Sequence, residues 1–448
     1  MVNTKALSEN QRRECLEKIK KEETPTMTGV ELYYKGEKKR FDVYKIPLAN
    51  LVYNPYNGRI GTKVRTFEVT KRTINPEIEE DIKIIEEFLW DSRPDRNKKT
   101  MRSLLKDGQL EYGIVSKNGF IIDGNRRASL LNKLNNERKD YERKGTNTDH
   151  CQYFNAIILD DDADKKEIVA LETNYQLGRE EKLDYNAIEK YLKCKQLVEF
   201  GFSKDKIAKM MGLESAEKKV ENYLDILQLM EEYLEYYEYT GMYTMLEKRE
   251  GPFLDLNGYI NAYKKQSGNA KTDWNPQEDD INDMKVLCFD YIRMQYEGKE
   301  FRVISKNGKS PVATSFFANE KIWHDFKQEH FETIDSIKED PIDFYIERAQ
   351  NDDEIIANLE ERDEVWKSKV GNKLKQNLKH NTNKLENKQQ ADKPYMLLDK
   401  AINALRDIDE NQDSLYNENV LESIKSINKK SNELCSIVKK ELKARRKI

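Results

Sequence analysis

Near residue 184 the hydrophobic pattern of this 448-residue chain changes period. Before that point short apolar runs alternate with helical repeats. Residues 41–44, 112–115, 120–122 and 154–159 read as strands, with turn chemistry at Gly36, Asn118-Gly119 and Asp123-Gly124. Between them Ile78, Ile82, Ile85 and Leu89 recur at helical spacing. Asp160-Asp161-Asp162, followed by Asp164, offers caps for another helix. After 184 the repeat is helical almost throughout. The pattern predicts an α+β domain followed by mainly α-helical domains.

Composition sets the limits of that plan. The hydrophobic fraction is 37% and the charged fraction 36%, which predicts globular parts joined to long solvated helices. The reading divides the chain into a charged arm (1–29), the α+β domain (30–183), a helix-turn-helix-like region (184–248), a helical domain of unassigned role (249–370), a polar linker (371–393) and a closing pair of helices (394–448). In that pair Val420, Ile424, Ile427, Ser431, Leu434 and Val438 alternate spacings of four and three, so a coiled-coil-like hairpin is expected, able to bind a companion protein or a second copy.

Several classes are not expected. No run approaches ~18 consecutive apolar residues, and the opening segment has no apolar leader core, so no membrane partner is expected. Five scattered cysteines without a Cys-x-x-Cys pair predict reduced thiols in the cytoplasm. Four histidines, none spaced for shared ligation, argue against a His/Cys metal site. A net charge of −4 is not that of a dedicated nucleic-acid coat, so phosphate binding must come from local patches.

The segment richest in chemistry is 120–131. A strand ends in Asp123-Gly124 and a helix starts at Asn125-Arg126-Arg127. Glycine permits a sharp turn and close approach of a ligand; a helix start offers free N–H groups and partial positive charge. Two guanidiniums there make an oxyanion receptor. The plain alternative is a helix start with two solvated arginines. Asn54-Pro55-Tyr56-Asn57-Gly58-Arg59 precedes this segment and Glu172-Thr173-Asn174-Tyr175-Gln176 follows it.

In that order the three segments resemble the three boxes of the ParB/sulfiredoxin-like superfamily, over about residues 40–235. The resemblance implies a nucleotide, CTP or ATP with Mg²⁺, whose phosphates are held by Arg59, Gly124, Asn125, Arg126, Arg127 and Asn174, with Glu172 near the metal. The chain departs from the pattern at Asn125, where ParB has Glu, at the extra Thr173, and at an arginine displaced to Arg179. The stretch after the first box is longer and basic: residues 59–72 hold five Lys/Arg against one Glu, and 93–107 hold six against two Asp. If the protein is instead a nuclease or nucleotide triphosphatase of this superfamily, Asp123 and Glu172 are the catalytic candidates.

A second element follows. Ser203 can cap a helix through Ile207-Ala208, Gly212 permits a tight turn, and residues 216–227 continue as a helix. This resembles the helix-turn-helix after the ParB N-domain and makes Lys204, Lys206, Lys209, Lys218 and Lys219 the DNA-contacting candidates. Residues 201–227 carry five basic and five acidic side chains, so packing on the neighbouring domain stays open as the alternative. Tyr233, Tyr236, Tyr237, Tyr239 and Tyr243 sit among glutamates and read as packing residues. The function expected from all this is a nucleotide-binding, DNA-associated switch, an accessory factor of a mobile element or of phage defence. The alternatives are the hydrolase above and a non-enzymatic adaptor.

Overall fold

A computed structural model describes residues 7–160, 164–177, 186–213, 217–265, 271–296, 299–308, 314–349 and 352–445. The strand signals of the first half pair into one sheet. Its strands are β1 (Met27–Tyr34), β2 (Glu37–Pro47), β3 (Gly113–Val115), β4 (Ile121–Asp123) and β5 (Tyr153–Ile158), in spatial order β1-β2-β5-β3-β4. Only β3 and β5 run parallel. Helices α1 (Glu9–Glu22), α2 (Gly61–Thr70), α3 (Glu79–Asp91), α4 (Pro94–Asp107), α5 (Asn125–Asn136), α6 (Arg138–Arg143) and α7 (Lys165–Gln176) complete the module.

Strand alternation distributes the core. Val115, Ile121 and Ala156 face a cluster with Leu16, Val64, Leu89 and Leu131 from α1, α2, α3 and α5. Their neighbours Ile114, Ile122 and Ile157 face Leu171 and Tyr175 of α7. The module is thus the α+β domain expected. Its first helix is not a free arm, however. Arg12, Leu16 and Ile19 are buried, and Arg12 Nε donates to the Asn118 carbonyl at 2.9 Å. The charged outer face of α1 hides this four-and-three stripe in any compositional average.

Helices α8 (Ala187–Glu199), α9 (Lys204–Met210) and α10 (Glu217–Tyr236) follow, then α11 (Glu250–Lys264), α12 (Glu278–Arg293), α13 (Lys299–Ser305), α14 (Glu320–Asp335), α15 (Ile342–Glu347), α16 (Asp352–Arg406) and α17 (Glu418–Arg445). One core runs from Ile188 to Leu385. That cluster spans the expected boundaries at 248 and 370, and α10 continues past 227. Tyr233, Tyr237 and Tyr239 are buried in that core, as packing residues should be; Tyr236 remains half exposed.

The stretch 371–393 is not a linker. It lies inside α16 and buries Leu374, Leu378 and Leu385. Its few apolar residues form one narrow stripe, and buried Asn377 extends it by donating to the Phe326 carbonyl at 2.9 Å. Pro394 also lies within α16, where it removes the N–H that would bond to the carbonyl of Gln390, an exposed residue. Beyond it the expected hairpin is not closed. Leu398, Ile402 and Leu405 on α16 and Ile424, Leu434 and Val438 on α17 stay exposed, so the two helices bury no common core. Among the described residues no helix is long and apolar enough to cross a membrane.

Candidate functional site

The three segments marked by sequence, 54–59, 120–131 and 172–176, meet. Asn125, at the first position of α5, is buried, and its Oδ1 accepts from the Asn54 backbone N–H at 2.8 Å. Asp123 Oδ1 accepts from Gln176 Nε2 at 3.1 Å. Glu172 lies close enough to Asp123 for repulsion to raise its pKa, and the Gly58 N–H points toward its carboxylate. Within the first segment Asn54 and Asn57 fold the loop on itself. Asn57 Nδ2 donates to the Asn54 carbonyl at 2.7 Å, and Asn57 Oδ1 accepts from the Arg59 N–H at 3.1 Å.

The two arginines are structural ties rather than an open receptor. Arg127 donates to Asp123 Oδ2 at 2.8 Å and to the carbonyls of Glu111 and Tyr112. Arg126 donates through Nε to Asn97 Oδ1 at 2.6 Å and through Nη2 to Thr100 at 3.1 Å. Buried Asn97 in turn donates to the carbonyls of Leu89 and Trp90. Arg126 thus fixes the start of α4 against the end of α3.

Gly124 has φ 106°, and a Cβ there would stand 2.5 Å from Phe154 Cζ. The close approach the glycine permits is to that ring, not to a ligand. Gly124→Ala is expected to cost about 3 kcal/mol, combining overpacking with a left-handed penalty. Urea denaturation checks this, and adding Phe154→Leu should recover only the overpacking share.

Glu172 leads into a buried ionic chain. Its Oε2 accepts from Lys193 Nζ at 2.9 Å; Glu189 pairs with Arg65 at 3.5 Å and senses Lys193 as well. All but Arg65 are at most 4% exposed. Burial raises both carboxyl pKa values, and the cations and facing N–H groups of Gly58 and Thr62 only partly offset it. The two Oε1 atoms gain no full hydrogen bond. Gly61 makes room for the second pair, since a Cβ there would lie 2.8 Å from both Arg65 Nη1 and Glu189. The chain ties α7 and α2 of the first module to α8 of the helical body. Thr66 and Thr244 add a hydrogen bond across the same seam at 3.2 Å.

Mg²⁺ does not suit this donor set. The charge of Glu172 is already met by an ammonium at 2.9 Å, whereas Mg²⁺ demands near-octahedral oxygen ligation. Among the described residues no group of three or more His, Cys, Asp or Glu is placed to hold a metal ion. Asp123 is likewise paired, with Arg127, so each catalytic candidate already has a cationic partner.

Arg59 instead lines a cavity of about 620 Å³ on the seam. Lys63 and Arg93 join it from the first module and Lys248 from the helical body, against Asp91, Glu247 and Glu250. Glu250 is engaged by the Tyr191 hydroxyl. Three long helices begin at this cavity: α4 behind Arg93, α8 behind Asn186, and α11 at Glu250-Gly251. Converging helix starts with four cations favour an anion. The volume suits a drug- or nucleotide-sized ligand. Sequence reading marked Arg59 and the basic stretches that hold Lys63 and Arg93, but not Lys248, which lies far along the chain.

The remaining candidates lie elsewhere. Asn174 lines a separate cleft with Lys206 and Lys209. Lys204 pairs with Glu221 at 2.8 Å, tying α9 to α10. Lys218 and Lys219 are exposed in the first turn of α10. Asp164 caps α7 in a capping box with Glu167, and Asp160 pairs with Lys20; Asp161, Asp162 and Arg179 lie outside the described residues. No family model, curated protein or solved structure matches the chain.

Proposed function

We propose that the protein is a ParB-like, nucleotide-binding, DNA-associated switch, with the ligand's phosphates in the seam cavity at Arg59, Lys63, Arg93 and Lys248. The observation that carries this reading is the cavity itself, where cations from both modules and three helix starts converge. Each of the three segments supports a different wall. The first supplies Arg59. The second holds the start of α4 through Arg126 and Asn97. The third holds α8 through Glu172 and Lys193. An anion bound between the modules favours whichever docking of the two brings these walls together, which is what a ligand-driven switch requires.

Binding is favoured over hydrolysis or nuclease action because Asp123 and Glu172 are both neutralised by partners. The adaptor reading keeps one specific support, the exposed apolar stripes of α16 and α17. The test is thermal denaturation with CTP, ATP, GTP and UTP. A nucleotide at 100 times its dissociation constant should add about 2.7 kcal/mol. The gain should vanish in Arg59→Ala/Arg93→Ala. Stabilisation that survives in that variant would place the ligand elsewhere.

A further inference from the structure

The β1–β2 hairpin carries a feature the seam does not use. Its two-residue loop, Lys35-Gly36, has φ 54° and 87°, the left-handed pair a tight hairpin needs. The loop and α9 face each other across α7 and enclose a cleft of about 540 Å³. Lys35 enters it from the hairpin, Lys166 from α7, and Lys206 and Lys209 from α9. Phe202 stands as a post between two of these, with Lys166 Nζ 4.6 Å and Lys206 Nζ 4.9 Å from its ring centre. The cleft's own carboxylates, Asp164 and Glu167, are turned into the α7 capping box; Glu167 also meets Lys35 at 3.4 Å. Asp205 meets Lys209 at 2.6 Å. Beside the loop the hairpin adds Lys38, Lys39 and Arg40 against Glu31 and Glu37. Tyr33 is 52% exposed at the rim, on the outermost strand of the sheet.

We infer that this cleft binds single-stranded nucleic acid, its phosphates tracking the lysines and a base stacking on Tyr33. Lysines along a groove with an exposed aromatic at its edge are what sequence-tolerant strand binding requires. The duplex-reading alternative is weak here: Lys204 is held by Glu221, and Lys218 and Lys219 share their turn with Glu217 and Glu221. The inference deepens the DNA-associated half of the proposed function, rests on that half, and is independent of the nucleotide cavity.

The test is fluorescence anisotropy of the full chain with a labelled oligothymidine of about 15 nucleotides, at several salt concentrations, beside a duplex of equal length. Tight, salt-dependent binding to the single strand is expected. Lys35→Glu/Lys206→Glu should weaken it more than 10-fold and reduce the salt slope by about 1.4, at roughly 0.7 per lysine. Tyr33→Ala should weaken it about 10-fold with the slope unchanged, and Tyr33→Phe should restore it. Three results would overturn the inference. Duplex binding lost only in Lys218→Glu/Lys219→Glu would keep DNA association and remove the cleft. Equal competition by polyglutamate, with Tyr33→Ala silent, would make the partner an acidic protein. No binding to either nucleic acid would end DNA association altogether while leaving the nucleotide cavity untouched.

Discussion

Replacing Asp363 by alanine is expected to destabilise the helical body by about 4 kcal/mol, the cost of stranding buried cations. Asp363 is 1% exposed and accepts from Tyr239 Oη at 2.8 Å, Arg293 Nε at 2.7 Å and Arg249 Nη2 at 3.1 Å. Arg293 is itself buried, between the rings of Tyr237 and Trp366 at 4.7 Å and 4.4 Å. It keeps Glu339 as a bidentate partner after the change, so its charge is not wholly stranded. Arg249 loses its only ion pair among the described residues and keeps the Tyr233 hydroxyl. Asp363→Asn preserves shape and some acceptors but not charge, and should cost less than alanine. Chemical denaturation of the three proteins checks the order; a loss below about 1 kcal/mol for alanine would mean water reaches this network.

The second large effect belongs to the seam. Lys193→Met should cost about 3 kcal/mol by leaving Glu172 and Glu189 buried without their shared ammonium. The loss has a signed pH dependence. Burial already holds both carboxyl pKa values above 4.5, and removing Lys193 raises them further. A raised carboxyl binds more protons folded than unfolded, so its contribution is complete below the ordinary value and falls as pH rises through the folded value. The variant should therefore lie closest to wild type near pH 5 and furthest from it near pH 8. Adding Glu172→Gln should recover part of the loss at pH 8. A pH-independent deficit would mean that packing, not charge, accounts for it.

Local signals carried the sheet and the three segments well. Turn dipeptides bounded β3 and β4, Ser203 caps the helix it was expected to cap, and the cap expected from Asp160-Asp161-Asp162 falls instead on Asp164 at the end of that acidic cluster. Partners at long range were not legible. Arg126 and Arg127 looked like a receptor because sequence shows the donors of a helix start but not the acceptors, Asn97, Thr100 and two backbone carbonyls, that the fold delivers. The 371–393 stretch was misread because average polarity conceals a stripe one residue wide. The cavity cations Lys63, Arg93 and Lys248 come from three separate elements, so no spacing rule joins them.

The most direct test is the thermal midpoint of the wild-type chain across the four nucleoside triphosphates. Stabilisation by one of them, lost on Arg59→Ala/Arg93→Ala but retained in Lys35→Glu/Lys206→Glu, is the predicted result. A midpoint unmoved by every nucleotide at millimolar concentration would contradict a nucleotide switch at the seam.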